Sequence, residues 1–130
     1  MHSTLPYIAL DSFKYGCMNL ENTQVQMRKG ILEFCILHII ARGETYASDM
    51  LDELTLAKMI VVEGTLYPLL TRLKNAGLLE YKWVESKSGP PRKYYKLTAI
   101  GEKFLHGLTE TWEDLVHSTE MIRSKSTTKV

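Results

Sequence analysis

Cysteine is scarce in this 130-residue sequence, which contains Cys17 and Cys35 alone. Two cysteines cannot build a disulfide framework, and their spacing matches neither a zinc site nor a redox pair. Long apolar runs are also missing, because the longest, residues 31–40, contains Glu33 and His38 and is about half the length that spans a bilayer. The N-terminus lacks a basic region followed by an apolar stretch, which predicts that the chain is not secreted. We therefore expect a cytoplasmic protein, outside the membrane, without a metal or cofactor.

An excess of one charge is lacking too, because 16 basic and 15 acidic residues leave a net charge of +1. A strongly basic composition is the easiest argument for a nucleic-acid binder, and it does not apply here. The charge is nevertheless uneven along the chain. Residues 62–98 carry seven basic and three acidic side chains, a net charge of +4, and residues 99–122 carry one and five, a net charge of −4. Since 45% of the residues are hydrophobic, we expect one folded domain rather than a disordered chain.

Apolar residues at three- and four-residue spacing predict a first helix from Gln24 to Arg42, ended by Gly43. Cys35 belongs to this apolar series and is expected in the core. A second helix is predicted from about Ala47 to Leu56. The connector that follows, residues 57–62, is expected to cover the core with its apolar side chains.

The third predicted helix, from Glu63 to Ala76, ends at Gly77 and separates into two faces at 100° per residue. One face consists of leucines and Ala76, and we expect it to be buried. Pro68 is expected near the first turn, where a missing N–H costs little. The opposite face is polar and contains Gly64, Tyr67, Pro68, Thr71, Arg72, Lys74 and Asn75.

The hydrophobic period then changes from helical to two, which predicts paired strands at residues 80–85 and 92–97. Residues 86–91 are rich in Ser, Gly and Pro and are expected to form the mobile tip of this hairpin. Alternation along the strands predicts strand packing rather than base stacking for the aromatic residues Tyr81, Trp83 and Tyr95.

A long final helix is predicted next, capped by Thr98 and extending to about Arg123. Its apolar residues advance by three or four positions, which is close to the spacing of a coiled-coil seam. We therefore predict that two copies of the chain pair along this seam. The expected interface residues are Phe104, Leu108, Trp112, Leu115, Thr119 and Ile122.

Three helices, a hairpin and a last helix follow one another in the order of a winged helix-turn-helix. The predicted fold class is α+β, mainly α: a winged helix-turn-helix with a long C-terminal dimerisation helix. The chain divides into an irregular N-terminal extension at residues 1–23, a DNA-binding domain at 24–98, the dimerisation helix at 99–123 and a flexible tail at 124–130. Met18 is an alternative start, because organised sequence begins only after it.

The basic segment and the polar helix face together predict contact with double-stranded DNA. A helix in the major groove presents polar side chains to bases and phosphates, and Tyr67, Thr71 and Lys74 form the ridge expected to enter it. At the start of this helix, Gly64 and Thr65 would let backbone N–H groups approach a phosphate. The hairpin residues expected to contact phosphates are basic, namely Lys87, Arg92 and Lys93.

Residues 63–79 (EGTLYPLLTRLKNAGLL), followed by residues 89–98 (GPPRKYYKLT) and Gly101, resemble the PadR family of bacterial transcriptional regulators. The similarity covers about residues 26–120, and the single final helix, short beside the larger C-terminal domain of other members, resembles the smaller subfamily with one C-terminal dimerisation helix. The resemblance implies a homodimeric repressor that binds a palindromic operator and responds to small phenolic or drug-like effectors. By motif position, it also implies that the DNA-facing residues are Gly64, Thr65, Tyr67 and Pro68, with Arg92, Lys93 and Tyr94 in the wing.

Two features leave alternatives open. Trp112 is interpreted as an interface anchor, but the resemblance also allows it to line an effector pocket. Where many family members have His-Gly-Tyr-Glu-Ile at the start of the second helix, this chain has residues 46–50, Tyr-Ala-Ser-Asp-Met.

No catalytic constellation is present in the sequence, which predicts that the chain is not an enzyme. The rival functions are a winged-helix protein-interaction module and a small-molecule-binding protein, neither with specific DNA binding.

Overall fold

A computed structural model describes residues 19–126 of the chain. Within them a two-stranded antiparallel sheet stands between the third and fourth of four helices. This arrangement confirms the predicted winged helix-turn-helix with a long C-terminal helix. The elements are α1 (Leu20–Ala41), α2 (Ala47–Leu56), α3 (Glu63–Asn75), β1 (Leu79–Ser86), β2 (Gly89–Leu97) and α4 (Ala99–Ser126).

Helix α1 begins at Leu20, four residues before the predicted start, so residues 20–23 are not an irregular extension. Asn19 explains the early start, because its side-chain oxygen accepts the backbone N–H of Asn22 at 2.8 Å and caps the helix. The rest of the predicted extension, including Cys17 and Met18, lies outside the described residues. At the other end, α4 continues to Ser126, three residues beyond the predicted Arg123, and residues 127–130 lie outside the described residues.

The chain falls into two units, one up to Glu33 and one from Phe34 onward. In the described part of the first unit, residues 20–30 of α1 are exposed along their whole length. The second unit contains the C-terminal end of α1 and every later element.

The core of the second unit is built mainly from α1, α2 and α3, with Leu79 of β1, Tyr95 of β2 and Leu105 of α4. Its largest fully buried side chains come from α1, α2 and α3. Leu37 is among them, although its position falls outside the three- and four-residue series that predicted the helix. Cys35 is half-buried rather than a core residue, and burial raises the pKa of its thiol. The fully buried set is Ile36, Leu37, Ile40, Met50, Leu54, Leu66 and Leu70.

The connector between α2 and α3 covers the core only in part, because Met59 and Val61 are half-buried whereas Ile60 and Val62 are exposed. Ile60 is 73% exposed and Val62 is 65% exposed. Val62 has an extended backbone, and in an extended segment neighbouring side chains point to opposite sides, so Ile60 and Val62 face solvent while Met59 and Val61 do not. Ala76, predicted on the buried face of α3, is exposed because the helix ends at Asn75.

The hairpin is longer and its tip shorter than predicted, because pairing extends to Ser86 and Gly89. The register places Leu79, Tyr81 and Trp83 opposite Leu97, Tyr95 and Lys93. Since neighbouring strand residues point to opposite sides, these six side chains share one face, which we call the inner face. The outer face carries Glu80, Lys82, Val84, Arg92, Tyr94 and Lys96.

A close junction joins the end of α3 to the start of α4. The Thr98 hydroxyl donates to the carbonyl oxygen of Gly77 at 2.6 Å and accepts the backbone N–H of Gly101 at 2.9 Å. This confirms Thr98 as the cap of the last helix. Gly77 adopts a φ of +85°, which favours glycine, so the chain can turn sharply from α3 into β1.

Candidate nucleic-acid interface

Helix α3 presents a polar face because its leucines are taken up by the core. The buried side chains are Leu66, Leu69, Leu70 and Leu73. The residues predicted to face DNA from this helix, Gly64, Thr65, Tyr67, Pro68, Thr71 and Lys74, are all exposed.

The sequence predicted Pro68 near the first turn of α3, but it lies in the second turn. The helix begins at Glu63, so Pro68 removes the N–H that would bond to the carbonyl oxygen of Gly64. The carbonyl oxygen of Gly64, on the exposed face of α3, therefore lacks its usual intrahelical partner. A Cβ built on Gly64 meets no atom within 4 Å, so open space surrounds this glycine.

The exposed face of α3 forms one wall of an open cleft of about 580 Å³. The N-terminus of α2 and the hairpin form the other walls. Four of the predicted DNA-contact residues come together here, two from the helix and two from the wing: Tyr67, Thr71, Arg92 and Lys93. The remaining lining residues are Tyr46, Ala47, Ser48, Trp83, Pro91 and Tyr95.

The other predicted contacts do not line this cleft. Gly64, Thr65, Pro68 and Lys74 are exposed elsewhere on α3, and Lys87 lies at the hairpin turn. Tyr94 belongs to the outer face of the hairpin and is half-buried, with its ring centroid 5.0 Å from that of Tyr46.

Among the cleft residues that sequence reasoning missed are two aromatic ones, Trp83 and Tyr46. Trp83 was expected to pack within the sheet, but it is 62% exposed, because β1 extends past the core that buries Leu79 at its other end. The alternating pattern that placed Trp83 on a strand could not show where along the strand the core ends. Tyr46 reaches the cleft because Thr45 pairs with Tyr95 at the edge of β2, a long-range contact with no local sequence signal.

The two basic side chains of the wing that line the cleft, Lys93 of the inner face and Arg92 of the outer face, lie over aromatic rings. The Nζ of Lys93 is 4.5 Å from the ring centroid of Tyr81 and 5.3 Å from that of Trp83. The guanidinium carbon of Arg92 is 4.6 Å from the ring centroid of Tyr46. These are cation–π distances, and such contacts leave the positive charges un-neutralised.

On the outer face of the hairpin, two lysines instead lie beside carboxylates. The Nζ of Lys82 is 3.2 Å from a carboxylate oxygen of Glu44, and the Nζ of Lys96 is 3.8 Å from one of Glu80. The wing cations that line the cleft therefore lie beside neutral rings, whereas Lys82 and Lys96, which do not line it, lie beside carboxylates, so the cleft keeps more of the wing's positive potential.

Tyr95 forms the buried floor of the cleft. Burial raises the pKa of its hydroxyl, and the neighbouring Tyr67 and Tyr81 hydroxyls raise it further. Tyr95 consequently stays protonated, and uncharged, at neutral pH.

Helix α4 carries an exposed apolar row beyond its contact with the winged unit. Leu105 is buried, whereas Leu115 is 56% exposed and Ile122 is 72% exposed. Trp112 lies within this row, with its ring centroid 5.9 Å from that of Phe34 in α1. The residues predicted as the dimer seam are all partly or fully exposed in the single chain: Phe104, Leu108, Trp112, Leu115, Thr119 and Ile122.

Within residues 19–126, no helix is both long enough and apolar enough to cross a membrane. The same residues contain no group of three or more His, Cys, Asp or Glu side chains that could hold a metal ion.

Comparison with known proteins identifies the family. Residues 36–107 match the transcriptional regulator PadR-like family. The chain is similar to a PadR-like transcription factor from Bacteroides fragilis, with 56% identity, a TM-score of 0.67 and coverage of 78% of this chain and 98% of that one. It is also similar to a PadR-like transcriptional regulator from Bacillus cereus, with 35% identity, a TM-score of 0.67 and coverage of 75% and 95%.

Two further relatives are more distant in sequence. A PadR family transcriptional regulator from Eggerthella lenta is 28% identical, with a TM-score of 0.73 and coverage of 79% of this chain and 90% of that one. An uncharacterized protein of Lysinibacillus sphaericus is 28% identical over 90 residues, which are 67% of this chain and 83% of the relative. The motifs in α3 and the wing, the fold and these matches agree, and the chain belongs to the PadR-like family of transcriptional regulators.

Proposed function

We propose that this regulator binds double-stranded DNA with the exposed face of α3 in the major groove and the wing against the adjacent backbone. The observation that carries the proposal is the cleft in which Tyr67 and Thr71 of α3 meet Arg92 and Lys93 of the wing. A helix that enters a groove needs polar side chains for base edges, and a flanking wing needs cations for phosphates.

The electrostatics support the same orientation. Lys93 and Arg92, which line the cleft, lie over aromatic rings, whereas Lys82 and Lys96, which do not line it, lie beside carboxylates. A phosphate would therefore be attracted to the part of the wing that lines the cleft. Each lysine or arginine that reaches a phosphate releases condensed counterions, so binding should weaken steeply as salt is added.

The proposed regulator is a homodimer that pairs through the apolar row of α4. Side chains such as Leu115 and Ile122 are exposed in the single chain, and a second copy would remove them from water. Two-fold symmetry would present two α3 helices to DNA. The proposed operator is therefore palindromic, with half-sites about one helical turn, or about 34 Å, apart.

Repression would follow from occlusion of a promoter by the bound dimer. A small aromatic or drug-like effector beside Trp112 would relieve it by changing the angle between the two winged units. Two observations support this location. The Trp112 ring lies near Phe34, and Phe34 also lines a second, largely apolar cavity of about 480 Å³ between α1, α2 and the connector that follows α2.

Selection of bound sequences from a random pool of duplex DNA tests the proposal. The expected product is a palindrome whose half-sites are separated by one helical turn, and the selected duplex should bind far more tightly than random duplex at physiological salt. Enrichment of no sequence, or equal affinity for selected and random DNA, would refute specific DNA binding. For the selected duplex, the electrophoretic mobility of the complex at increasing protein concentration shows whether one dimer or one monomer occupies the site.

A further inference from the structure

One aromatic ring connects the recognition helix α3 to the wing through two lysines. The Nζ of Lys74, on α3, is 5.6 Å from the ring centroid of Tyr81, and the Nζ of Lys93, on β2, is 4.5 Å from the same centroid. The sequence predicted both lysines as DNA contacts and Tyr81 as a strand-packing residue. It did not predict that the two lysines share the Tyr81 ring.

The Tyr81 ring is well placed to hold both ammonium groups, because its neighbours fix it in turn. Its centroid lies 5.7 Å from that of Tyr95, which is buried, and 6.3 Å from that of Trp83. Lys93 stands directly opposite Trp83 in the hairpin, which makes it the diagonal neighbour of Tyr81 on the inner face. A long side chain in that position reaches the ring without leaving its strand.

A ring and a carboxylate order a lysine in different ways. A carboxylate cancels the charge that it holds, as Glu44 does for Lys82 on the outer face. The face of an aromatic ring attracts the ammonium through its quadrupole and carries no net charge of its own. Lys74 and Lys93 are therefore restrained but still available to a phosphate.

We propose that Tyr81 is a positioning residue for DNA binding, which holds Lys74 and Lys93 ready for the DNA backbone. This inference rests on the proposed function, since it assumes that the exposed face of α3 and the wing bind DNA. Ordering both lysines before binding reduces the side-chain entropy that is lost when they meet phosphates. The same ring also couples the position of the wing to that of α3.

The test replaces Tyr81 in the full-length chain by phenylalanine, by pentafluorophenylalanine and by leucine. Phenylalanine keeps the electron-rich face of the ring, and we expect affinity for the selected duplex to stay close to that of the wild type. Pentafluorophenylalanine keeps the ring's apolar shape but reverses its quadrupole, and leucine removes the ring. We expect both to weaken binding roughly tenfold and to make the plot of log affinity against log salt shallower by about 0.9 for each phosphate that a lysine no longer neutralises.

A double-mutant cycle shows whether Tyr81 acts through the lysines. In a Lys74→Met, Lys93→Met background, Tyr81→Leu should cause no further loss of affinity, whereas independent effects of Tyr81 and the lysines would overturn the inference. Lys82→Met is the matched control, because Lys82 is a wing lysine held by a carboxylate. It should leave the salt dependence unchanged.

The two proposals fail in distinguishable ways. If the wild-type chain selects no DNA sequence, the proposed function itself is wrong. If it binds the selected duplex and the pentafluorophenylalanine variant binds with the same affinity and salt slope, the function stands and the role of Tyr81 is refuted. The pentafluorophenylalanine and phenylalanine variants give this answer even if the leucine variant does not fold.

Discussion

Gly101, in the first turn of α4, lies directly against the carbonyl oxygen of Leu78. A Cβ built on Gly101 would stand 2.1 Å from that oxygen and 3.0 Å from the carbonyl carbon. Both atoms belong to the backbone, so neither can move aside as a flexible side chain would. The start of α4 therefore approaches the segment between α3 and β1 so closely that only glycine fits at position 101.

Gly101→Ala should destabilise the protein because the new methyl group forces α4 away from Leu78. We expect the free energy of unfolding to fall by about 3 kcal/mol, the upper part of the range for overpacked sites. Thermal or urea unfolding followed by circular dichroism measures the change. Gly107→Ala is the matched control, since it lies in the same helix and its Cβ meets no atom within 4 Å. That substitution should instead stabilise the helix by about 0.5–1 kcal/mol.

Tyr67→Ala and Lys74→Ala should each weaken binding to the selected duplex while leaving a folded dimer. Both side chains are exposed on α3, so their removal costs the core nothing. Loss of Tyr67 should cost about 1–3 kcal/mol and relax the sequence preference, whereas loss of Lys74 should weaken binding to all sequences and reduce the salt slope by about 1. Gel shifts over a range of salt concentrations separate the two effects. Lys103→Ala, in α4, is the control expected to bind normally.

Leu108→Glu or Leu115→Glu should abolish the proposed dimer, because each places a charge in the apolar row of α4. Sedimentation velocity should then report monomers, and affinity for the palindromic duplex should fall because two half-sites are no longer bound together. Thr111→Glu adds the same charge to the same helix outside the predicted seam and should leave the dimer intact. A dimer that survives both leucine substitutions would show that the subunits pair elsewhere.

The thiol of Cys35 should react slowly with alkylating reagents in the folded chain. Burial raises its pKa above the ordinary value of 9.0, so the thiolate is rarer at any given pH. In a Cys17→Ser variant, the pH profile of alkylation should be displaced to higher pH than in urea. As the pH rises, the unfolded chain loses this proton at a lower pH than the folded chain does. The contribution of the thiol to folding stability is therefore fully present at neutral pH and is lost as the pH rises above 9. Superimposable profiles would contradict the burial of this side chain.

Local patterns in the sequence predicted the order of elements, and the structure confirms that order. The leucines of α3 recur at helical spacing, so the buried and exposed faces of that helix follow from periodicity alone. Thr98 was recognised as a cap because its hydroxyl serves backbone groups only three residues away. Such signals are contained within a single turn of chain.

Features that depend on distant contacts were not predicted. Trp83 has the alternation of a packed strand residue, but its exposure is decided by where the core stops along β1. Ile60 and Val62 are apolar and were assigned to the core, yet the extended connector leaves them in solvent. The cations of the cleft gained their aromatic partners from other elements, which no spacing within one strand or helix reveals.

The hydrogen bond from the Thr98 hydroxyl to the carbonyl oxygen of Gly77 means that a movement of α4 is transmitted to α3. A helix of 28 residues is about 42 Å long, and this one is fastened at its base to the end of α3. A tilt of about 10° around the middle of such a helix moves each of its ends by about 3.7 Å, close to the 3.4 Å rise of one base pair. A dimer paired along α4 would therefore shift its two α3 helices out of register with DNA after a rearrangement too small to disturb either folded unit.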